Sequence, residues 1–232
     1  MSQVTPVAPP TLVIGNRNYS SWSLRAWFFL SHCEIEFETV RLALDTADFA
    51  KQIATYSPTR QVPVLLHDGQ TIWDSLAICE YAAENLTDLA GWPRSRDARA
   101  FARSIACEMH AGFAKLRSEL PLNCRATGRS VVPGKHAGAD IDRVIAIWNE
   151  CRDRFADQGP WLFGEFGIAD AMYAPVALRF RTYGVQTPGA AADWVEEITR
   201  HPSILSWTEA AKGECEVIEA EEVGADLCSP EH

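Results

Sequence analysis

The sequence predicts a small α/β domain of order βαβ–ββα followed by an all-α helical bundle. Three observations carry that expectation. Strand and helix signals alternate through residues 11–86, the Gly91-Trp92-Pro93 stretch interrupts them, and no convincing strand signal appears beyond it. A chain of 232 residues is long enough to bury a core in each of two such parts. The expected organisation is a flexible arm over residues 1–10, an α/β domain over 11–86, a linker over 87–97 and a helical domain over 98–232.

Thr11, Leu12, Val13 and Ile14 form a short buried-strand pattern that Gly15 ends. Trp22, Ala26, Phe29 and Leu30 then recur at helical spacing, with the Ser20-Ser21 hydroxyls placed to cap the helix. Residues 37–40 alternate like a strand, and a weaker helical stretch over 48–55 completes a βαβ unit. The apolar run after Pro63, the Asp68-Gly69 pair and Thr71-Ile72-Trp73 read as a hairpin, because Asp-Gly readily supplies positive φ angles. From Asp74 a third helix carries Leu76, Ile78, Cys79, Ala82 and Ala83 as its buried stripe. Helices are expected over 98–120, 140–156, 169–183, 194–200 and 203–211, divided by prolines and glycines.

Composition excludes several functions. Apolar residues make up 47% and charged residues 22%, the profile of a soluble globular chain. No uninterrupted apolar run exceeds the five residues of Ala26-Trp27-Phe28-Phe29-Leu30, far short of the roughly 20 residues a bilayer span needs, so no membrane partner is expected. The net charge of −10 repels a phosphate backbone, which argues against a nucleic-acid partner. Seven cysteines are scattered without a CxxC pair, so neither a metal site nor a disulfide framework is expected, and the odd count suits a reducing compartment. The first ten residues hold three prolines and no basic region, unlike a secretory or transit signal, and the expected location is cytoplasmic.

Three short stretches can carry chemistry. A proline at the head of a strand, as in Gln61-Val62-Pro63-Val64, removes a ladder donor; a cis bond there would turn the backbone of Val62 outward, where it can pair with an extended peptide. An ordinary trans proline opening the strand is the commoner explanation of such a stretch taken alone. Asp74-Ser75 opens a helix directly after a strand, so Ser75 can bind a carboxylate and Asp74 an ammonium, or Asp74 simply caps the helix. Hydroxyls in Tyr19-Ser20-Ser21 can donate to a thiolate over a helix N-terminus that also favours charge on sulfur, or the serines serve only as caps.

The order of these motifs, together with the helical second half, resembles a cytosolic glutathione transferase over residues 11–211, with a serine-type, zeta- or tau-like N-terminal motif. The resemblance implies a thioredoxin-like N-terminal domain, glutathione as co-substrate, a small electrophilic partner, a homodimer and a detoxifying role. It implies that Ser20, spaced five residues before Arg25, faces the glutathione sulfur, with Ser21 and Tyr19 as alternatives. Val62 would bond the cysteinyl unit beside a cis Pro63, Asp74 and Ser75 would hold the γ-glutamyl end, and Arg60 or Gln61 would reach the glycyl carboxylate. Arg60 stands where the family motif has glycine. Glu108, Phe113, Arg117, Arg179 and Tyr183 are candidates for the second-substrate pocket, and Asp170, opposite a glycine where the family has Ser or Thr, is expected to serve folding. The implied activity is conjugation of glutathione to a small, partly apolar electrophile. Glutathione-dependent cis–trans isomerisation of the maleylacetoacetate-isomerase kind, and a binding protein without catalysis, are the alternatives.

Overall fold

The computed structural model describes residues 8–88 and 91–226. Most of the expected arm, part of the linker and Cys228 lie outside the described residues. The first domain runs β1 (Thr11–Ile14), α1 (Ser21–His32), β2 (Glu38–Arg41), α2 (Ala47–Ile53), β3 (Val64–His67), β4 (Gln70–Trp73) and α3 (Ser75–Asn85). Its sheet has the order β2-β1-β3-β4, with β1 parallel to β2 and antiparallel to β3, and β3 antiparallel to β4.

Central β1 is covered on both faces, which is why it reads as a continuous apolar run. Leu12, Ile14 and Leu65 join the large core with α1 and α3, whereas Val13 and Val64 meet Leu42 and Ile53 on the α2 side. Asp68 and Gly69 both take positive φ, 46° and 73°, as the two-residue hairpin requires. In α1 the expected stripe is too narrow: Ser23, Leu24, Arg25 and Phe28 are buried as well. The reason is tertiary, since α1 lies between α3 of its own domain and α7 of the next.

The second domain comprises α4 (Arg96–Ala111), α5 (Ala114–Glu119), α6 (Lys135–Phe155), α7 (Ile168–Tyr183), α8 (Ala191–Arg200) and α9 (Pro202–Lys212). The single helix expected over 98–120 is therefore two. Gly112 leaves the helix in an extended conformation and Phe113 follows at φ 56°. A Cβ on Gly112 would fall 2.6 Å from the Glu108 carbonyl oxygen, so the break needs glycine. A further departure is a pair of two-residue strands, β5 (Arg129–Ser130) and β6 (Ala225–Asp226), joined antiparallel; segments so short carry no periodic signal.

Asp170, in the first turn of α7, is almost wholly buried. Its Oδ2 accepts from Gly167 N at 3.0 Å, and its Oδ1 accepts from Leu162 N at 2.9 Å and Trp194 Nε1 at 2.8 Å. The glycine has a steric cause: a Cβ on Gly167 would lie 2.8 Å from the carbonyl oxygen of Gly91, which accepts from Ile168 N. The interdomain segment thus occupies the space a capping hydroxyl would need.

After α9 the chain crosses back over the first domain. Glu214 accepts from the backbone N–H groups of Arg17 (2.9 Å) and Asn18 (3.1 Å), and Glu216 pairs with Arg41 at 2.8 Å. Glu222 gathers Tyr19, Asn123 and Arg129.

Candidate functional site

A cavity of about 890 Å³ lies between the domains. One wall is the β1–α1 connection, where Ser20 N donates to the Asn16 carbonyl at 2.8 Å and directs both serines into the cavity. Ser20 is the N-cap of α1: its Oγ accepts from Ser23 N at 3.3 Å and donates to Ser23 Oγ at 2.7 Å. Ser21 Oγ accepts from Arg179 Nη2 at 3.2 Å, and among the described residues its own proton has no acceptor. Tyr19 lines the same wall, but its hydroxyl donates to Glu222 at 2.7 Å and accepts from Arg125 at 2.7 Å. Burial, then the bond to Glu222, pushes that phenol above its ordinary value, so Tyr19 is turned to the C-terminal segment.

The second wall is the segment before β3. The Val62-Pro63 bond is cis, and both residues line the cavity with Arg60 and Gln61 at its exposed rim. Arg60 sits at φ 58°, the left-handed conformation for which glycine is the easy choice, and Ser57 Oγ accepts from Gln61 N at 3.3 Å within the same turn.

The third wall is the start of α3. Asp74 takes φ 77°, its Oδ1 caps Leu76 N at 2.9 Å, and its Oδ2 lies 3.2 Å from His110 Nε2 of α4. Ser75 is fully buried and its Oγ has no partner among the described residues. An orphaned hydroxyl at a helix start beside a carboxylate suits a ligand that presents both a carboxylate and an ammonium.

Of the five second-pocket candidates, Arg117 and Arg179 line the cavity. The other three do not. Glu108 makes a two-pronged bond to Arg143 at 2.7 and 2.8 Å on the outer side of α4. Phe113 is buried in the core at the α4–α5 break, and the Tyr183 hydroxyl donates to the Pro121 carbonyl at 3.0 Å. That break aims Arg117, a residue of α5, at the cavity. Trp22, Trp73 and Glu221 also line it, and none of them was signalled by spacing alone.

The cavity is flanked by positive charge. Arg25 is buried behind Trp22, its guanidinium 4.3 Å from that ring, and Arg117 lies 5.5 Å from the same ring. Burial, followed by Arg117 and Arg179, lowers Arg25 to about 9; burial lowers Arg179 to about 10 and also pulls Arg117 down. Among the described residues no carboxylate stands within ion-pair distance of any of the three. The described cysteines are free, and Cys33 at the end of α1 has its thiol pushed up to about 12 by burial. No group of three or more His, Cys, Asp or Glu among the described residues is arranged to hold a metal, and no described helix is long and apolar enough to cross a membrane.

A thioredoxin-like domain facing a helical bundle across one such cavity is the architecture of glutathione transferases. The glutathione S-transferase N-terminal domain matches residues 19–85 and the glutathione S-transferase C-terminal domain matches residues 134–210, together more than half of the chain. The chain belongs to the glutathione S-transferase family. A probable maleylacetoacetate isomerase of Caenorhabditis elegans is 32% identical over 109 residues, 47% of this chain and 50% of that protein. The maleylacetoacetate isomerase of Rattus norvegicus is 32% identical over 110 residues, 47% of this chain and 51% of that protein. The chain thus spans about half the length of the curated relatives it matches. Among solved structures, a glutathione transferase homologue from Burkholderia with bound glutathione superposes with a TM-score of 0.69 at 24% identity, over 89% of this chain and 100% of that one. A Tau class enzyme from mango superposes with a TM-score of 0.65 at 19% identity, over 88% of this chain and 96% of that one.

Proposed function

We propose that the chain is a glutathione transferase that holds glutathione along the inner walls of the cavity and activates its sulfur for attack on a small electrophile. One observation carries the reading: three separate segments, 19–21, 60–63 and 74–75, each suited to one part of glutathione, line a single cavity. In this reading the start of α3 holds the γ-glutamyl end, through Ser75 for the carboxylate and Asp74 for the ammonium. The Val62 backbone pairs with the cysteinyl unit, and Arg60 or Gln61 meets the glycyl carboxylate at the rim.

Ser21 is the better donor to sulfur. The Ser20 proton is engaged by Ser23, whereas the Ser21 proton has no acceptor among the described residues and its oxygen is already held by a cation. A thiolate beside Arg179, with Arg25 and Arg117 near, is stabilised by charge as well as by the hydroxyl.

The test is calorimetric titration with glutathione, followed by turnover of chlorodinitrobenzene. A folded protein that neither binds glutathione nor turns over the arene overturns the reading; binding without turnover leaves a binding protein. The relatives named as maleylacetoacetate isomerases favour a second reading, cis–trans isomerisation. It differs in stoichiometry, since isomerisation returns glutathione and conjugation consumes it. The family assignment extends the proposal to a homodimer, which sedimentation measures directly, and the scattered free cysteines support a reducing, cytoplasmic setting.

A further inference from the structure

We propose that the helical-domain side of this cavity selects electrophiles that carry a carboxylate, which Arg117 binds. The inference rests on the transferase reading above and adds the substrate class. Its basis is the imbalance of charge at the cavity. Arg60, Arg117 and Arg179 line it and Arg25 lies behind Trp22, whereas Asp74 and Glu221 are the carboxylates among the described residues that line it. Asp74 is already engaged by Leu76 N and His110. Glu221 stands by Arg179, and burial pushes its carboxyl up; the carboxylate that acts on Arg117 is Asp140, beyond ion-pair distance, with its Oδ2 accepting from Leu116 N at 3.0 Å.

The three inner arginines are not equivalent. Arg179 is held in place: Nη1 donates to the carbonyls of Arg117 and Leu120, and Nη2 donates to Ser21. Arg25 is buried and has no face on the cavity. Arg117 makes one long bond, 3.4 Å to the His110 carbonyl, and otherwise rests near the Trp22 ring. Its remaining donors have no acceptor among the described residues. A half-buried guanidinium on an aromatic face, with a fork of unused N–H groups, is suited to two-pronged binding of a carboxylate. Both carboxylates of glutathione are assigned elsewhere, one to the start of α3 and one to the rim, so the anion for Arg117 comes with the second substrate.

A suitable probe is 4-chloro-3,5-dinitrobenzoate set against its methyl ester. In the reaction a sulfur lone pair forms the carbon–sulfur bond at the ring carbon bearing chlorine. The carbon–chlorine bond breaks, chloride leaves with the electron pair, and the thiol proton passes to solvent. Each kcat/KM is divided by the uncatalysed rate, because the two rings differ in intrinsic reactivity. The expected preference for the carboxylate is ~10- to 100-fold, the worth of a charge-assisted hydrogen-bonded pair. Arg117→Met brings the ratio close to one, and Arg117→Lys restores part of it.

Turnover of both probes at a ratio near one in the unaltered protein overturns the proposal and leaves the transferase reading standing. So does a rise in KM for glutathione in Arg117→Met with the ratio unchanged, which would assign Arg117 to glutathione itself. Failure to bind glutathione removes both readings together. If glutathione binds without turnover, titration of 3,5-dinitrobenzoate and its methyl ester into the glutathione-saturated protein, read by tryptophan quenching, gives the same preference; equal affinities refute it.

Discussion

His110 Nε2, on α4 of the helical domain, lies 3.2 Å from Oδ2 of Asp74, the residue that opens α3 in the other domain. Asp74 is held at φ 77° and ψ 133°, a conformation that costs a non-glycine residue about 1–3 kcal/mol unless its surroundings fix it. The bond to Leu76 N fixes one oxygen and His110 fixes the other. In the proposed site this carboxylate meets the ammonium of glutathione, so the pair acts on affinity. Asp74→Ala is expected to raise KM for glutathione ~10-fold or more, and His110→Ala by a smaller factor, with kcat moving less than KM in both. A loss of thermal stability with unchanged KM in His110→Ala would make the contact a domain clamp only.

Ser20 and Ser21 separate by what their hydroxyls already do. Removing the free donor, in Ser21→Ala, is expected to lower kcat on the order of 10²-fold and to raise the pH at which bound glutathione forms thiolate. Ser20→Ala removes the α1 cap and is expected to cost about 1 kcal/mol of stability with a smaller loss of kcat. Ultraviolet titration of the thiolate and a urea melt read the two effects separately. The opposite pattern returns the sulfur contact to Ser20, as the Ser-x-x-x-x-Arg spacing implies.

These assignments mark the boundary of what the sequence makes legible. The order βαβ–ββα could be read because each element has its own local sign: the run that Gly15 stops, the Asp-Gly turn, the acidic-Ser helix start. The break at Gly112-Phe113 could not, because it contains no proline and Phe113 continues the apolar pattern while its backbone turns left-handed. Glu108, Phe113 and Arg117 therefore fall within the one helix expected over 98–120, and of the three only Arg117 reaches the cavity. Arg179 and Ser21 meet across 158 residues, and Tyr19 meets Glu222 across 203; no spacing rule sees either. The C-terminal segment escaped for the same reason, since Glu214 meets backbone N–H groups and Glu216 and Glu222 meet side chains far upstream.

Asp170 accepts three buried N–H groups, one of them the indole of Trp194, at the base of the largely buried helix α7. Asp170→Ala leaves all three without an acceptor and is expected to destabilise the protein by about 3 kcal/mol or more. Asp170→Asn keeps one accepting oxygen but sets its amide group against a donor, and is expected to lie between. The cavity that would hold glutathione is not touched by Asp170, so KM for glutathione measured well below the melting transition stays at its original value. A shift in KM at that temperature would tie the capping network to the site.

His32 and His201 fasten α1 to the start of α9. His201 Nδ1 accepts from Ser203 N at 3.2 Å, which places the ring proton on Nε2, and that proton is donated to His32 Nδ1 at 3.1 Å. Both rings are neutral in this arrangement. Burial, and then the other ring, lowers His32 from 6.5 to about 4; burial also lowers His201, with Glu197 opposing. Phe166 stacks on His32 at 3.6 Å, and Phe28 and Trp161 close the surroundings with carbon. A base whose folded pKa is depressed binds its proton more readily when unfolded, so its stabilisation is complete above the unfolded value and is lost as pH falls from 6.5 towards 4. Melting temperature is therefore expected to fall between pH 7.5 and pH 5, and His201→Asn, which keeps a capping side chain and removes one titrating ring, is expected to flatten that slope. An equal slope in the variant would place the acid sensitivity in other groups.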